Sequence, residues 1–380
     1  MTKPPAGPKI ALVIPDFAGG GAERAAVNLA CALVDLGADT RFIVEKMRGA
    51  LAEEARETAP IEVLDGKSAP GNIAALRRRM KKDTETVFVS FMTRSNIMCS
   101  IARLLLMRKP QIILTEHNNR RSLLAQMNAS RRAISYALLM FSFHSADKVV
   151  CVSDGIMTIT KRLFSMRPER LARIYNPIVT KETARLAAEG APLERRRGAK
   201  LIVSAGRLHP QKDFPTLVRA ARLLKGEMEF ELMIFGEGAE RASLEALVEQ
   251  QGLSGVVTFP GFRKDLLAVI GRADLFVLSS AWEGFGNVLA EALACGTPVV
   301  STDCDSGPRE ILEGGRLGRL TPVGDAETLA RAIRETLAAP RMVPPLAADR
   351  FSAETVAREY LALINDLKAP RRPAAQSARV

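Results

Sequence analysis

The chain has 380 residues, of which 47% are hydrophobic and 25% are charged, so its size predicts two globular domains rather than one. Its longest apolar run, residues 133–143, is about half a membrane span, and its first residues lack a signal peptide's apolar core, which favours a cytoplasmic protein. The net charge is +12, but few aromatic residues are available for stacking and no motif that reads DNA or RNA is present, which argues against nucleic acid as a partner.

The first half alternates apolar strands with amphipathic helices. A strand is predicted at residues 9–15, followed by a glycine-rich loop and a helix that runs to about Leu36, where Gly37 ends it. Further strands are predicted at residues 40–45, 86–91, 111–115 and 148–153. Buried strands that alternate with helices indicate a parallel sheet covered on both faces.

The same pattern restarts after a basic stretch, residues 186–200, which is predicted to be a linker. Asp213 is predicted to cap the first helix of the second half, with Pro215 in its first turn. The predicted strands are 201–205, 230–235, 256–260, 275–278 and 298–302, and the predicted helices include 214–225 and 241–251. We therefore expect domains at 1–190 and 191–350, a helix at 351–367 and a disordered tail at 368–380.

Two doubly wound domains leave a cleft between the carboxyl ends of their sheets, where ligands bind. Glu283 enters a glycine-bearing loop there, and Glu291 follows two helical turns later. Two such carboxylates can hold a polyol at two places, while free N–H groups at the helix start suit anionic oxygens. The pattern predicts a site for a sugar joined through phosphates to a ribose. The alternative is a solvated helix face that carries two chance glutamates.

Cationic and glycine-rich loops strengthen that prediction. Arg207 and Lys212 lie on a strand-to-helix turn, where a guanidinium and an ammonium can neutralise a diphosphate; two ordinary surface cations are the alternative. Glycines 19–21 have phosphate-loop character, or else form a plain tight turn, but match neither GxGxxG nor a P-loop. His117 follows a predicted strand and is expected to face the cleft, unless it is structural.

The string WEGFGNVLAEALACGTPVV, from Trp282 on, resembles the signature of the family-four glycosyltransferases, which are retaining enzymes of the two-domain GT-B fold. SAGRLHPQKD, GGGAER and TEHN are similar to other segments of that family. The resemblance is specific over residues 200–312 and looser over 1–190. It implies a hexosyltransferase-type enzyme that transfers a sugar, with retention, from a nucleotide sugar that we expect to be UDP-linked.

The resemblance also implies roles for individual residues. Glu283 would hold sugar hydroxyls, Glu291 would accept from both ribose hydroxyls, and Arg207 and Lys212 would carry the charge of the leaving diphosphate. His117 would line the sugar site, and the helix at 351–367 would cross back to the first domain. Further donor contacts are expected from the backbone of Gly284, Phe285, Gly286, Asn287 and Val288, from Gly20 and Gly21 over the phosphate, and from Gly236 and Arg263 near the base. Ser153, Asp154 and Asn176 fall on loops near the cleft, with no role assigned.

No metal or other cofactor is expected. Asp303 and Asp305 form a DxD pattern, which we interpret as loop capping or acceptor-side polarity, because GT-B enzymes neutralise phosphates with Arg, Lys and helix termini. The five cysteines are scattered and lack CxxC spacing, which argues against a disulfide framework or a zinc site.

The positive charge is concentrated in the first half. Residues 1–190 contain 29 Lys and Arg against 18 Asp and Glu, whereas residues 191–380 contain 25 against 24. Basic residues beside apolar ones suit an anionic membrane surface, although a solvated basic face is the alternative. The clusters are Arg103/Arg108/Lys109, Arg120/Arg121 and Arg131/Arg132. We therefore expect a peripheral enzyme at the inner face of the membrane, with a glycolipid or lipid-linked saccharide as acceptor in cell-surface polysaccharide synthesis.

Two other functional classes remain compatible with the sequence. Sugar-nucleotide epimerases share this fold and need no acceptor, so a UDP-sugar alone would be converted. A non-catalytic basic protein would bind anionic membranes, or nucleic acid, without regard to nucleotide sugars.

Overall fold

Two parallel β-sheets, one from each half of the chain, form the framework of the protein. The computed structural model describes residues 7–189, 196, 198–339 and 348–369. Much of the predicted linker and the predicted tail from residue 370 on lie outside the described residues. The predicted doubly wound architecture of two domains is confirmed.

The first sheet has the strand order β3-β2-β1-β4-β5-β6-β7, and all its neighbours pair in parallel. Its strands are β1 (Lys9–Ile14), β2 (Asp39–Val44), β3 (Ile61–Val63), β4 (Val87–Ser90), β5 (Ile112–Glu116), β6 (Lys148–Cys151) and β7 (Leu171–Arg173). The helices are α1 (Gly21–Asp35), α2 (Ala52–Thr58), α3 (Ala69–Lys82), α4 (Thr93–Leu104), α5 (Arg120–Ala125), α6 (Ala129–Ser145), α7 (Asp154–Leu163) and α8 (Lys181–Glu189).

The second sheet has the order β10-β9-β8-β11-β12-β13 and is also parallel. Its strands are β8 (Lys200–Ala205), β9 (Phe230–Phe235), β10 (Val257–Gly261), β11 (Leu275–Leu278), β12 (Val299–Thr302) and β13 (Arg319–Thr321). Its helices are α9 (Phe214–Leu224), α10 (Arg241–Gln250), α11 (Leu266–Arg272), α12 (Asn287–Ala294), α13 (Pro308–Ile311) and α14 (Ala326–Ala338), and α15 (Ala353–Lys368) follows.

We call residues 7–180 with α15 the N-lobe, and residues 200–339 with α8, which packs on α11, the C-lobe. The strand order reverses between β1 and β4 in the N-lobe and between β8 and β11 in the C-lobe. In a parallel sheet the loops after such a reversal diverge to opposite faces and leave a crevice at the carboxyl edge. The fold therefore places the loops after these four strands where a ligand can bind.

The last helix packs on the first. Val356, Ala357, Tyr360 and Ile364 of α15 are buried in one apolar cluster with residues of α1. Their spacing puts them on one face of the helix. The N-lobe core is thus completed by the C-terminal end of the described chain.

Three strands were not predicted, and one prediction was wrong. The strands β3, β7 and β13 have three residues each and lie at sheet edges, so they carry too little apolar periodicity to be recognised. The predicted linker began at residue 186, but α8 continues to Glu189. No helix within the described ranges has the length and apolar character that crossing a membrane requires.

Replacing Ile364 by Ala tests the packing of α15. The side chain is fully buried, so we expect the free energy of unfolding to fall by about 2–4 kcal/mol. Thermal unfolding measures the change, and Asp366→Ala, at an exposed position of the same helix, serves as the matched control. Equal unfolding temperatures for the two variants would contradict this packing.

Candidate active site

The loops after the strand reversals meet in the cleft between the lobes. The Asn287 Nδ2 group donates to the Gly21 carbonyl over 3.2 Å, which joins the start of α12 to the start of α1. A Cβ on Gly284 would lie 1.8 Å from the His117 carbonyl oxygen, so only glycine permits this approach. Residues predicted from both halves of the sequence are therefore brought together.

A buried ion pair lies at the centre of this site. Lys212 Nζ is 2.5 Å from Glu283 Oε1, and Ser280 Oγ donates to the same oxygen over 2.7 Å. The side chain of Glu283 is only 7% exposed and that of Lys212 only 16%. At this burial either charge alone would be costly, so each group needs a partner of opposite charge or a set of hydrogen bonds.

The loop that carries Lys212 is fixed to the loop after β11. Gln211 donates from its side chain to the Trp282 carbonyl over 3.0 Å, and its own carbonyl accepts from Ala281 N over 2.8 Å. The Ser279 hydroxyl donates to the Lys212 carbonyl. These bonds fix the position of the Lys212 ammonium relative to the Glu283 carboxylate without a ligand.

The local sequence makes this loop possible. Asp213 has a left-handed backbone (φ 43°), and its side chain accepts from the N–H and the hydroxyl of Thr216, which confirms the predicted cap of α9. A Cβ on Gly206 would lie 2.8 Å from Lys212 Cε, so glycine leaves space for the lysine stem.

The start of α12 presents backbone rather than side chains to the cleft. Gly286 precedes the helix with φ 98° and has no side chain to cap it, which leaves first-turn N–H groups for a ligand. Phe285 is only 2% exposed as a whole residue, and its ring packs against Tyr175 and Phe351. The Phe285 ring is therefore not available to a ligand in the cleft.

Asn287 connects the two lobes through both ends of its amide. Its Oδ1 accepts from Asn176 Nδ2 over 2.8 Å, while its Nδ2 donates to Gly21. The side chain is thus bonded within the protein, so a contact with a nucleotide sugar at this position would come from the backbone. Asn176 had no role assigned from its sequence, because nothing in YNPI indicates this partner.

The hydrogen bonds around His117 define its tautomer. The Thr115 hydroxyl has one proton, which it donates to the Ser90 carbonyl over 2.9 Å, so it accepts from His117 Nε2 over 2.8 Å. Nδ1 is then the lone-pair atom of the ring, and it is buried. Burial, with a contribution from Arg120, lowers the pKa of His117 to about 4. The ring is therefore a neutral hydrogen-bond acceptor.

Two glutamates near the cleft have shifted acidity. Burial raises the pKa of Glu291 to about 7, although Arg24 and Lys212 favour its charged form. Burial also raises the pKa of Glu23, which Arg207 partly opposes from the other lobe. Glu23 was not singled out from the sequence, yet it lies within the GGGAER segment. Shifted carboxyl groups beside a cleft are typical of functional sites.

The remaining predicted residues lie in different surroundings. Gly20 packs over the Glu23 carboxylate, and Gly236 lies against the Gly206 carbonyl, where a Cβ would be 2.0 Å from the oxygen. Arg263 donates to Asp265 over 2.8 Å, and the structure gives it no contact with the ion pair. Asp303 pairs with Arg309, and the described part of the chain holds no group of three or more His, Cys, Asp or Glu suited to a metal.

Two members of the predicted basic clusters are structural. Arg103 binds Asp147 and the carbonyls of Pro110 and Ser145, and buried Arg120 binds Glu116 and Thr93. The exposed members are Arg108, Lys109, Arg121, Arg131 and Arg132, and the exposed apolar side chains near them in sequence are Leu104, Leu105, Met107, Ile134 and Leu138.

Both halves of the chain match known protein families. Residues 19–182 match the family described as Glycosyltransferase Family 4, and residues 189–351 match the one described as Glycosyl transferases group 1. The two matches cover most of the N-lobe and the C-lobe in turn.

Relatives and solved structures agree with these matches. The chain is similar to the lipopolysaccharide core biosynthesis glycosyltransferase LpsE of Rhizobium meliloti, with 33% identity over 60% of this chain and 67% of that protein. It is 29% identical to the N-acetylgalactosamine-N,N'-diacetylbacillosaminyl-diphospho-undecaprenol 4-alpha-N-acetylgalactosaminyltransferase of Campylobacter jejuni, over 69% of each. The structure of Anabaena HepE in complex with UDP-glucose has a similar fold, with a TM-score of 0.76 and 20% identity over 94% of this chain and 99% of that chain.

The acidity of Glu291 predicts a stability change with pH. Because its pKa is raised in the folded state, the wild type loses stability as pH rises from about 4.5 through about 7. We expect Glu291→Gln to be more stable than the wild type at pH 8, by roughly 1–2 kcal/mol, and no more stable at pH 4.5. Thermal unfolding at both pH values measures this, with exposed Glu245→Gln as control; a gain that is equal at both would disprove it.

Proposed function

The chain belongs to the GT4-type glycosyltransferases of the GT-B fold, and we propose that it moves a hexosyl or N-acetylhexosaminyl group from a UDP-sugar to a glycolipid or lipid-linked saccharide. The names of its relatives support a role in lipopolysaccharide or polysaccharide synthesis. The buried Lys212–Glu283 pair beside the open start of α12 is the observation that carries this proposal.

Each part of a nucleotide sugar has a matching group in the cleft. Lys212 and Arg207 bind the diphosphate, with the first-turn N–H groups of α12 as further donors. Once phosphate oxygens become the partners of Lys212, Glu283 is released to accept from sugar hydroxyls. Glu291 accepts from the ribose hydroxyls, and a similar fold in Anabaena HepE binds UDP-glucose, which supports uridine as the base.

Transfer breaks the bond between the anomeric carbon and the diphosphate oxygen. The charge that develops on the leaving diphosphate is stabilised by Arg207 and Lys212 in a site that is already arranged for it. Neutral His117 lines the sugar site. The acceptor hydroxyl attacks from the face that the diphosphate leaves, and its proton passes to a phosphate oxygen, which gives retention.

We place no metal in this reaction. The phosphate charge is offset by two cationic side chains and a helix start, while Asp303 of the DxD pattern is held by Arg309. Arg309 thus gives Asp303 a structural partner of opposite charge.

The acceptor docks on the N-lobe. Arg94, whose side chain is 59% exposed, is held at the rim of the first sheet by the buried Glu45 carboxylate, and Lys46 is exposed beside it. Such cations suit the phosphate or carboxylate groups of a glycolipid. The exposed basic and apolar residues of α6, which include Arg131, Arg132 and Ile134, rest on an anionic membrane surface.

Arg207→Ala tests the donor assignment. Loss of a cation at the leaving group is expected to lower kcat by about a hundredfold or more, because the charge on the diphosphate develops in the transition state. Transfer from radiolabelled UDP-sugars to a bacterial glycolipid fraction measures kcat. The control is Arg222→Ala, an exposed arginine on α9.

Normal turnover of a folded Arg207→Ala variant would contradict the phosphate assignment. Incubation with a UDP-sugar alone separates the reaction classes, because a transferase leaves the sugar unchanged apart from slow hydrolysis. Conversion to an epimeric UDP-sugar would overturn the transferase proposal.

Charge reversal on α6 tests the membrane surface. We expect the double variant Arg131→Glu, Arg132→Glu to lose at least about tenfold in affinity for phosphatidylglycerol vesicles, since each surface cation contributes about 1 kcal/mol. Vesicle co-sedimentation at low salt measures binding, and Arg222→Glu with Arg331→Glu on the C-lobe is the matched control. Unchanged sedimentation of the α6 variant would exclude this face.

A further inference from the structure

The start of α7 is capped by the opposite lobe. Glu310 of α13 accepts from Asp154 N over 2.8 Å and from Gly155 N over 2.9 Å, one N–H for each carboxylate oxygen. The third N–H of this turn, that of Ile156, is bonded to the Ser153 hydroxyl over 3.1 Å. A C-lobe carboxylate therefore satisfies an N-lobe helix terminus, where its charge is favourable.

The same turn reaches the loop between β11 and α12, residues 279–286, which we call the site loop. Ser153 is fully buried, and its hydroxyl donates to the Gly284 carbonyl over 2.9 Å. Ser306 donates to the preceding carbonyl, that of Glu283, over 2.5 Å. Two consecutive peptides of the site loop are thus held by hydroxyls, one from each lobe.

Holding these carbonyls fixes the groups that face the donor. In a trans peptide the C=O and N–H point in opposite directions, so anchoring the oxygens sets where the N–H groups of Gly284 and Phe285 point. It also fixes the Cα of Glu283, which lies between the Ser306-bonded peptide and the preceding one. A hydrogen-bonded peptide cannot turn without leaving a buried carbonyl unpaired.

Close packing supports the same arrangement. A Cβ on Gly155 would lie 2.5 Å from Ser306 Cβ, and one on Gly307, which has φ 92°, would lie 1.8 Å from the Phe285 carbonyl oxygen. There is therefore no space for a side chain at Gly155 or Gly307. At these two positions, residues 305–310 pack directly against the start of α7 and the site loop.

We propose that Ser153, Ser306 and Glu310 form a cross-lobe clamp that orients the Glu283–Phe285 backbone for sugar recognition. Glu310 and Ser153 are positioning residues: Glu310 holds the α7 turn on the C-lobe, and Ser153 holds the peptide. Binding of the sugar, unlike binding of the nucleotide, then depends on contact between the two lobes. This inference rests on the proposed function.

Binding of UDP and of UDP-glucose, UDP-galactose and UDP-N-acetylglucosamine, measured by calorimetry, tests the clamp. For the UDP-sugar that the wild type binds most tightly, Ser153→Ala and Glu310→Gln are expected to weaken binding about 5- to 10-fold, the loss expected for one hydrogen bond. Both variants should bind UDP within about twofold of the wild type. Ser153→Thr keeps the hydroxyl and should restore sugar binding. The control is Ser243→Ala, whose exposed hydroxyl donates to the carbonyl of Glu240, the residue before α10.

The outcomes separate three cases. A wild type that binds neither UDP nor any UDP-sugar contradicts the proposed function itself. A wild type that binds them, with clamp variants that lose UDP and UDP-sugar equally or lose only thermal stability, overturns the clamp and leaves a merely structural cap. A lower affinity for the UDP-sugar with an unchanged affinity for UDP, seen in both clamp variants but not in Ser243→Ala, supports the clamp.

Discussion

The ion pair between Lys212 and Glu283 is the constraint on which the cleft depends. Two opposite charges at this burial are tolerated only because each is the other's partner and Ser280 adds a hydrogen bond. The surrounding loops keep the pair in place through bonds from Gln211 and Ser279. A donor with both a diphosphate and hydroxyls can replace both partners at once, so that neither charge is left buried alone during the exchange.

The site belongs to both lobes even though its charged groups come mainly from one. Gly284 fits against the His117 carbonyl, Asn287 bonds Gly21 and Asn176, and the clamp joins α7 to the site loop. Each of these contacts links positions more than a hundred residues apart in the chain. The proposed donor is therefore recognised by an assembled surface, and the Gly284 carbonyl, next to Glu283, is bonded only across the contact between the lobes.

The sequence predicted the framework well because long apolar strands are easy to recognise. The ten predicted strands are all present, with ends displaced by at most two residues. The edge strands β3, β7 and β13 were not predicted, because three residues are too few to show a periodic pattern. Lys212 and Glu283 were expected at one site from a family motif, but their direct bond could not be read from spacing. The inward turn of Phe285, the cross-lobe amide of Asn287 and the internal bonds of Arg103 and Arg120 depend on tertiary contacts that no local pattern encodes.

The position of α15 has a consequence for how the protein is made. Its apolar face covers α1, so this surface of the first helix stays uncovered until residues 353–368 have been synthesised. The C-lobe, whose sheet ends at Thr321, can complete its own core earlier on the ribosome. The N-lobe is thus begun before the C-lobe and completed after it, and a product truncated before α15 would expose the apolar surface of α1 to chaperones and proteases.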